Sequence, residues 1–268
     1  MEQLYIFGTG NAMVTRCYNT CFALKDDDRY FMVDAGGGNQ IMTILQDMKV
    51  DVTKIHDIFV THEHNDHILG MVWMIRMIAT KINQGSYEGD LRIYCYDGLI
   101  NTIQTLCKLT IQTKLTKHFG ERIKFIPVAD GETKHILDYD ITFFDIQSTK
   151  AKQFGFTLVL KNGKRFTCLG DENYHEQAEA AYVQDCDWLL HEAFCTYAER
   201  DIFKPYEKHH STAKDACELA EKLGIKNLLL YHTEDKSITE RKEKYTAEGA
   251  PYFHGKLWVP DDREIIEL

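Results

Sequence analysis

Proline is scarce in this chain, at four residues in 268. There is no low-complexity tract and no charge run long enough to act as a tail. Nothing therefore marks a domain boundary, and residues 1–268 are expected to form a single domain near the upper end of ordinary domain length. Long apolar runs are missing too. The longest strongly apolar stretch, Ile68 to Ala79, contains Arg76 and is too short to span a bilayer. The opening Met-Glu-Gln leads into a strand-like run and offers no secretory apolar region. Positive charge is in deficit, with 31 Lys and Arg against 41 Asp and Glu and a net charge of −10. That excludes a surface built to grip nucleic acid non-specifically, though a local basic patch remains possible. The eight cysteines (Cys17, Cys21, Cys95, Cys107, Cys168, Cys186, Cys195 and Cys217) form no CxxC pair and mostly lie in apolar runs. They read as reduced, buried thiols. A soluble, cytoplasmic protein with no membrane partner is expected, and 44% apolar residues suffice for a large core.

The densest feature present is Thr61-His62-Glu63-His64-Asn65-Asp66-His67. It follows Ile55 to Val60, an apolar run that reads as a buried strand. Imidazole and carboxylate donors without thiolate suit zinc, iron or manganese in an open, reactive site. In extended backbone His62 and His64 project to one side and can reach one ion. Asp66 and His67 come as the chain turns toward a helix and can reach a second. Two ions roughly 3.5–4 Å apart can activate a water and clamp both attacking and leaving oxygens. One or two divalent ions are expected.

Around this cluster the pattern alternates. Strands are expected at Leu4 to Phe7, Cys21 to Leu24, Tyr30 to Val33, Ile55 to Val60, Leu91 to Tyr96, Ile123 to Val128, Ile141 to Ile146, Gly155 to Leu160, Arg165 to Leu169, Trp188 to His191 and Asn227 to Tyr231. Helices are expected at Asn39 to Met48, Ile68 to Thr80, Leu99 to Leu109, Tyr174 to Val183, Thr212 to Leu223 and roughly Ile238 to Glu248. Strands interleaved with helices indicate an α/β sandwich with mixed sheets. Met71, Trp73, Met74 and Met77 form a stripe that reads as core or a dimer face.

The spacing His62-x-His64-x-Asp66-His67 resembles motif II of the metallo-β-lactamase superfamily. Asp34 matches that family's supporting aspartate, which braces the ligand loop. Asp171, after Arg165 to Leu169, matches the aspartate that bridges both ions; read alone, it is a helix N-cap. His232, after Leu228 to Tyr231, matches the C-terminal histidine ligand of the second ion. The branch most resembled is ribonuclease Z, through Phe7-Gly8-Thr9-Gly10-Asn11-Ala12, loosely Arg16 to Thr20, His191-Glu192-Ala193-Phe194 and His210-Ser211-Thr212-Ala213. The resemblance implies a four-layer αβ/βα sandwich and a possible homodimer. It also implies that Glu192 and His210 form a pair that passes a proton to the leaving oxygen, and Asp66 is counted with them among the catalytic residues as well as the metal ligands.

The chain departs from this pattern twice. The family's third motif places a histidine before an aromatic-Gly-aromatic strand start, here Phe154-Gly155-Phe156. The aligned residue is Thr149, or Ser148 with a one-residue slip. The first ion is therefore expected to be weak or altered, with Ser148, Thr149, Asp145 or water filling the gap. Lys150 and Lys152 lie close by and could bind an anionic substrate. His56, His118, His135, His175, His191, His209 and His254 read mostly as ordinary histidines; only His209 and His175 could replace the missing ligand. The second departure is the family's tRNA-gripping arm. In its place stands Lys161-Asn162-Gly163-Lys164, a tight hairpin turn. Its absence disfavours tRNA and favours a small phosphodiester. The alternatives are a thioester or lactone hydrolase, and a metal-poor binding or sensor protein on the same scaffold.

Overall fold

The computed structural model describes residues 2–268. In chain order the strands are β1 (Gln3–Gly8), β2 (Cys21–Asp26), β3 (Arg29–Val33), β4 (Ile55–Phe59), β5 (Leu91–Cys95), β6 (Ile123–Pro127), β7 (Glu132–Ile136), β8 (Tyr139–Asp145), β9 (Phe154–Val159), β10 (Arg165–Cys168), β11 (Trp188–Glu192), β12 (Asn227–Tyr231), β13 (Lys256–Trp258) and β14 (Ile265–Glu267). The helices are α1 (Gln40–Asp47), α2 (Asn65–Asn83), α3 (Asp97–Thr110), α4 (Thr113–Thr116), α5 (Glu176–Val183), α6 (Arg200–Phe203), α7 (Ala213–Lys222) and α8 (Arg241–Gly249). Two compact units result. The first holds residues 1–8, 18–129 and 262–268, the second 9–17 and 130–261.

The first unit carries the sheet β14-β1-β2-β3-β4-β5-β6. Its first four strands pair antiparallel, and β3 through β6 pair parallel. The parallel strands β4 and β5 are buried at every position except His56 and Arg92, one in each. The one charged core position in β4, Asp57, is met across the ladder by Arg92, whose guanidinium donates two hydrogen bonds of 2.6 Å. Helices α2 and α3 are the crossovers from β4 to β5 and from β5 to β6. The ligand loop thus leaves the carboxyl end of a parallel strand, where α/β sheets place their ligands.

The second unit repeats the plan with the sheet β13-β12-β11-β10-β9-β8-β7. Strands β7 to β10 form an antiparallel meander, and β10 to β13 run parallel. Its core gathers Phe144, Val183, Leu189, Ala216, Leu228 and Tyr245 under α5, α7 and α8. Strands β9 and β10 are joined through Asn162 and Gly163, with Gly163 at φ +82° and Leu160 N–H donating to Lys164 O at 2.8 Å. Glycine takes that left-handed conformation without a Cβ penalty.

Two mixed sheets with flanking helices are the α/β class expected. The boundaries differ in informative places. Helix α2 begins at Asn65 rather than Ile68, so Asp66 and His67 already lie in its first turn. Helix α5 begins at Glu176 with His175 at its cap, which removes the N-cap reading of Asp171. Helix α8 begins at Arg241 rather than Ile238. Strands β7, β13 and β14 carried no signal, because β7 is a polar edge strand and the other two have three residues each. The Met71 stripe divides: Met71 and Met74 are fully buried, while Trp73 and Met77 turn toward a surface groove. All eight thiols are free, and Cys17 alone is less than buried. Among the described residues, no helix is long and apolar enough to cross a membrane.

Candidate metal centre

In the first unit, β4 makes its last ladder bond at Val60, whose N–H donates to Tyr94 O at 2.9 Å. The chain then runs extended through His64 (φ −64°, ψ 148°) into α2. His62 Nε2 and His64 Nδ1 face each other at 2.9 Å. Asp66 Oδ2 and His67 Nε2 are 3.4 Å apart. Glu63, the charged residue between the histidines, is turned away and accepts the Tyr96 hydroxyl at 2.5 Å.

Asp34 organises this loop. It follows β3 in the left-handed region, at φ +56°, a strained place for any residue but one that aspartate tolerates better than most. Its N–H donates to Phe59 O at 2.8 Å, so the turn is fixed to β4. Its Oδ1 accepts the Thr61 N–H at 2.8 Å. Its Oδ2 accepts both the Thr61 hydroxyl and His67 Nδ1–H at 2.7 Å. The hydrogen-bond chain assigns tautomers. With the Thr61 hydroxyl proton on Asp34, the Thr61 oxygen accepts His62 Nδ1–H at 3.0 Å. Both His62 and His67 therefore present bare Nε2 lone pairs. Gly70 allows the close seating of α2 on this turn. A Cβ there would stand 1.8 Å from Ala35 O.

In the second unit the residues come from the ends of neighbouring parallel strands. Asp171 lies beyond β10, Glu192 ends β11, and His232 follows β12, with Glu192 and Tyr231 in register. His232 is left-handed, at φ +58°. Its Nε2 lies 3.3 Å from Asp171 Oδ2. Gln153 Oε1 accepts Asp171 N–H at 3.3 Å, and the Tyr231 hydroxyl donates to Gly170 O, so the Asp171 turn is held from both sides.

Glu192 is wholly buried, and one carboxylate oxygen accepts the Ser211 N–H. The other faces His210 Nδ1 at 3.6 Å. Burial pushes this carboxyl up, but the charge of His210, with His191 and His232 farther off, holds it net below the usual glutamate range. The Phe194 ring stacks on His210 at 4.8 Å. Donor atoms of Glu192, His210 and His232 all lie within 4.8 Å of one another. On its other side, His210 Nε2 meets Lys150 Nζ at 3.3 Å.

The three residues expected to fill the third-motif gap all have partners of their own. Asp145 accepts the Gln147 N–H at 2.8 Å. Ser148 Oγ accepts the Lys150 and Ala151 N–H groups at 3.2 and 3.4 Å. The Thr149 hydroxyl donates to the buried Glu172 at 2.8 Å and lies 3.1 Å from His209 Nδ1. Of the two histidines named as replacements, His209 is thus tied to Thr149. The backbone N–H of His175 donates to Glu179 at 2.7 Å. Sequence reasoning did not single out Thr61, Gln153, Glu172 or Tyr231. Each is an ordinary strand-end or loop residue whose role lies in a partner distant in sequence.

The donor set fits divalent ions. Two donors on one tetrahedral ion with bonds near 2.0–2.1 Å stand about 3.3 Å apart. The three donor pairs, at 2.9, 3.4 and 3.3 Å, cluster around that edge length. All six residues are buried except His64, which is half-buried. No thiolate takes part.

Residues 2–249 match the family model described as Anti-Pycsar protein Apyc1. The chain is similar to a ribonuclease Z of Enterococcus faecalis, with 25% identity over 99% of this chain and 97% of the relative. It shares its fold with the metallo-β-lactamase fold protein YhfI of Bacillus subtilis, at a TM-score of 0.79 and 18% identity over 98% of both chains. It also shares it with a diphosphatase from the PhnP family, at a TM-score of 0.76 and 16% identity, covering 100% of this chain and 98% of that one.

Proposed function

The chain belongs to the Anti-Pycsar protein Apyc1 family and has the metallo-β-lactamase fold, and from that premise we propose that it is a metal-dependent hydrolase acting on a small phosphodiester. The observation that carries the reading is the donor geometry: buried imidazole–imidazole and imidazole–carboxylate pairs at ion-edge separations, with tautomers preset by Asp34 and Thr61. In the first unit His62 and His64 serve one ion and Asp66 and His67 another; in the second unit Asp171 and His232 are the donors. Zinc is the metal we favour, because the set is nitrogen-rich and free of thiolate.

Bound divalent ions would supply Lewis acidity and an acidified water. The protein's own residues do the rest. Asp34 and Thr61 keep His67 and His62 oriented. Glu192, fixed by the Ser211 N–H, faces His210 Nδ1 and favours the ring proton there, so that Nε2 offers a lone pair that can take the attacking water's proton and hand it to the leaving oxygen. Asp66 sits in the first turn of α2. The phosphodiester is supported by the similarity to a ribonuclease Z, and a phosphoryl substrate more broadly by the fold shared with a diphosphatase. A small substrate is supported by the short β9–β10 turn, which leaves no arm to hold a folded RNA.

The test is a panel of bis-aryl phosphate, thioester and lactone substrates with zinc or manganese. Turnover of the phosphate is expected to dominate; turnover of thioester or lactone alone would transfer the assignment to those esters. Metal titration is expected to show two unequal affinities, the first ion being the weaker. Two equally tight ions would sink that part of the reading.

A further inference from the structure

The segment between β8 and β9 is where the third-motif histidine is missing, and it presents a cation instead. Gln147 turns left-handed at φ +57°, with its N–H capped by Asp145. Ser148 closes the bend by accepting two backbone N–H groups. Thr149 fastens it to Glu172, a carboxylate 3% exposed, through both its N–H and its hydroxyl. The loop is therefore held from below at one residue, and the next residue is Lys150. Its ammonium reaches His210 Nε2 at 3.3 Å. Among the described residues, no carboxylate pairs with it. Its neighbour Lys152 is different: that ammonium lies 3.6 Å from Asp145 and over the Phe154 ring.

An ammonium has three N–H groups and no lone pair, so His210 can take only one of them. The remainder point to whatever enters beside Nε2. We propose that Lys150 is the substrate-binding cation of this site, taking an anionic phosphoryl oxygen next to His210 Nε2. This deepens the phosphodiesterase reading and rests on it for the identity of the anion. It makes the site selective for anionic esters over neutral ones. An ammonium drawn onto the substrate also frees the His210 Nε2 lone pair to take the proton lost by the attacking water and pass it to the leaving oxygen. Thr149 and Glu172 act through Lys150 as positioning residues.

The experiment compares Lys150→Ala, Lys150→Arg and Lys152→Ala by two measurements. One is inorganic phosphate binding by calorimetry to protein stripped of metal with a chelator. The other is steady-state hydrolysis of a bis-aryl phosphate and of a neutral aryl acetate. Lys150→Ala is expected to weaken phosphate binding and raise KM for the diester about 10-fold, with a much smaller change in kcat and none for the acetate. Lys150→Arg is expected to recover most of the loss, and Lys152→Ala to behave as the parent. Phosphate affinity and KM unchanged in Lys150→Ala would overturn the proposal, as would Arg failing to rescue or an equal loss in Lys152→Ala. If the parent shows no diesterase activity, the functional reading fails, while the phosphate titration still judges Lys150 alone.

Discussion

In the first unit every donor lies between His62 and His67, and one carboxylate, Asp34, holds the stretch through Thr61 and His67. In the second, Asp171, Glu192 and His232 come from three adjacent strand ends and His210 from the loop before α7, placed by sheet register rather than by one brace. A contiguous set depends on a single anchor; a dispersed set depends on the whole sheet. Point changes should therefore be felt differently in the two units.

The largest effect is expected from Asp34→Asn. Asparagine tolerates the left-handed backbone, so the turn survives. Both carboxylate oxygens accept N–H or O–H donors, and one of them becomes an NH2 that faces a donor. Metal affinity is expected to fall about 10- to 100-fold, with a stability loss of about 2–3 kcal/mol. Metal retained on dialysis and urea unfolding measure the two. A variant that keeps its metal and its midpoint would show that the loop does not depend on this anchor.

A middle effect is expected from Glu192→Gln. The Ser211 N–H can still be accepted, so the sheet is spared, while the charge beside His210 is lost. We expect kcat for the diester to drop about 100-fold with metal content unchanged. Equal loss of metal and rate would mean that Glu192 is part of the donor set rather than of the proton path.

The smallest effect is expected from Thr212→Ala. Thr212 caps α7 through a reciprocal pair with Asp215, two residues after His210. Loss of the cap should cost about 1 kcal/mol in thermal or urea unfolding, with turnover changed by less than about 3-fold. A larger fall in rate would make His210 as dependent on one anchor as His67 is, and the contrast between the units would weaken.

The same contrast explains what the chain disclosed in advance. The first donor set is contiguous, so its residue types and spacing sufficed. Asp171, Glu192, His210 and His232 are single residues in unremarkable surroundings, and only resemblance to a family picked them out. Most strands were legible, because their buried positions are filled by aliphatic and aromatic residues bounded by turns. The polar edge strand β7 and the three-residue β13 and β14 were not, because neighbours rather than their own composition make them strands. The start of α2 was placed late because Asp66 and His67 are polar, yet a first helical turn welcomes acidic side chains. The network that joins Thr149, Glu172 and His209 left no trace in the sequence, since it links three loops by side-chain reach alone.

The four-residue turn between β9 and β10 has a consequence for how such proteins diversify. Its residues lie at the tip of an antiparallel pair, and the donors of the second unit emerge beyond the opposite end of β10. Lengthening a surface loop carries a slowly growing entropic cost, of about 0.6 kcal/mol per doubling. A gripping appendage could therefore be inserted or deleted at this point without shifting the register of any strand that carries a donor. Substrate size becomes a modular trait, set at one edge of the sheet and inherited separately from the chemistry at the other.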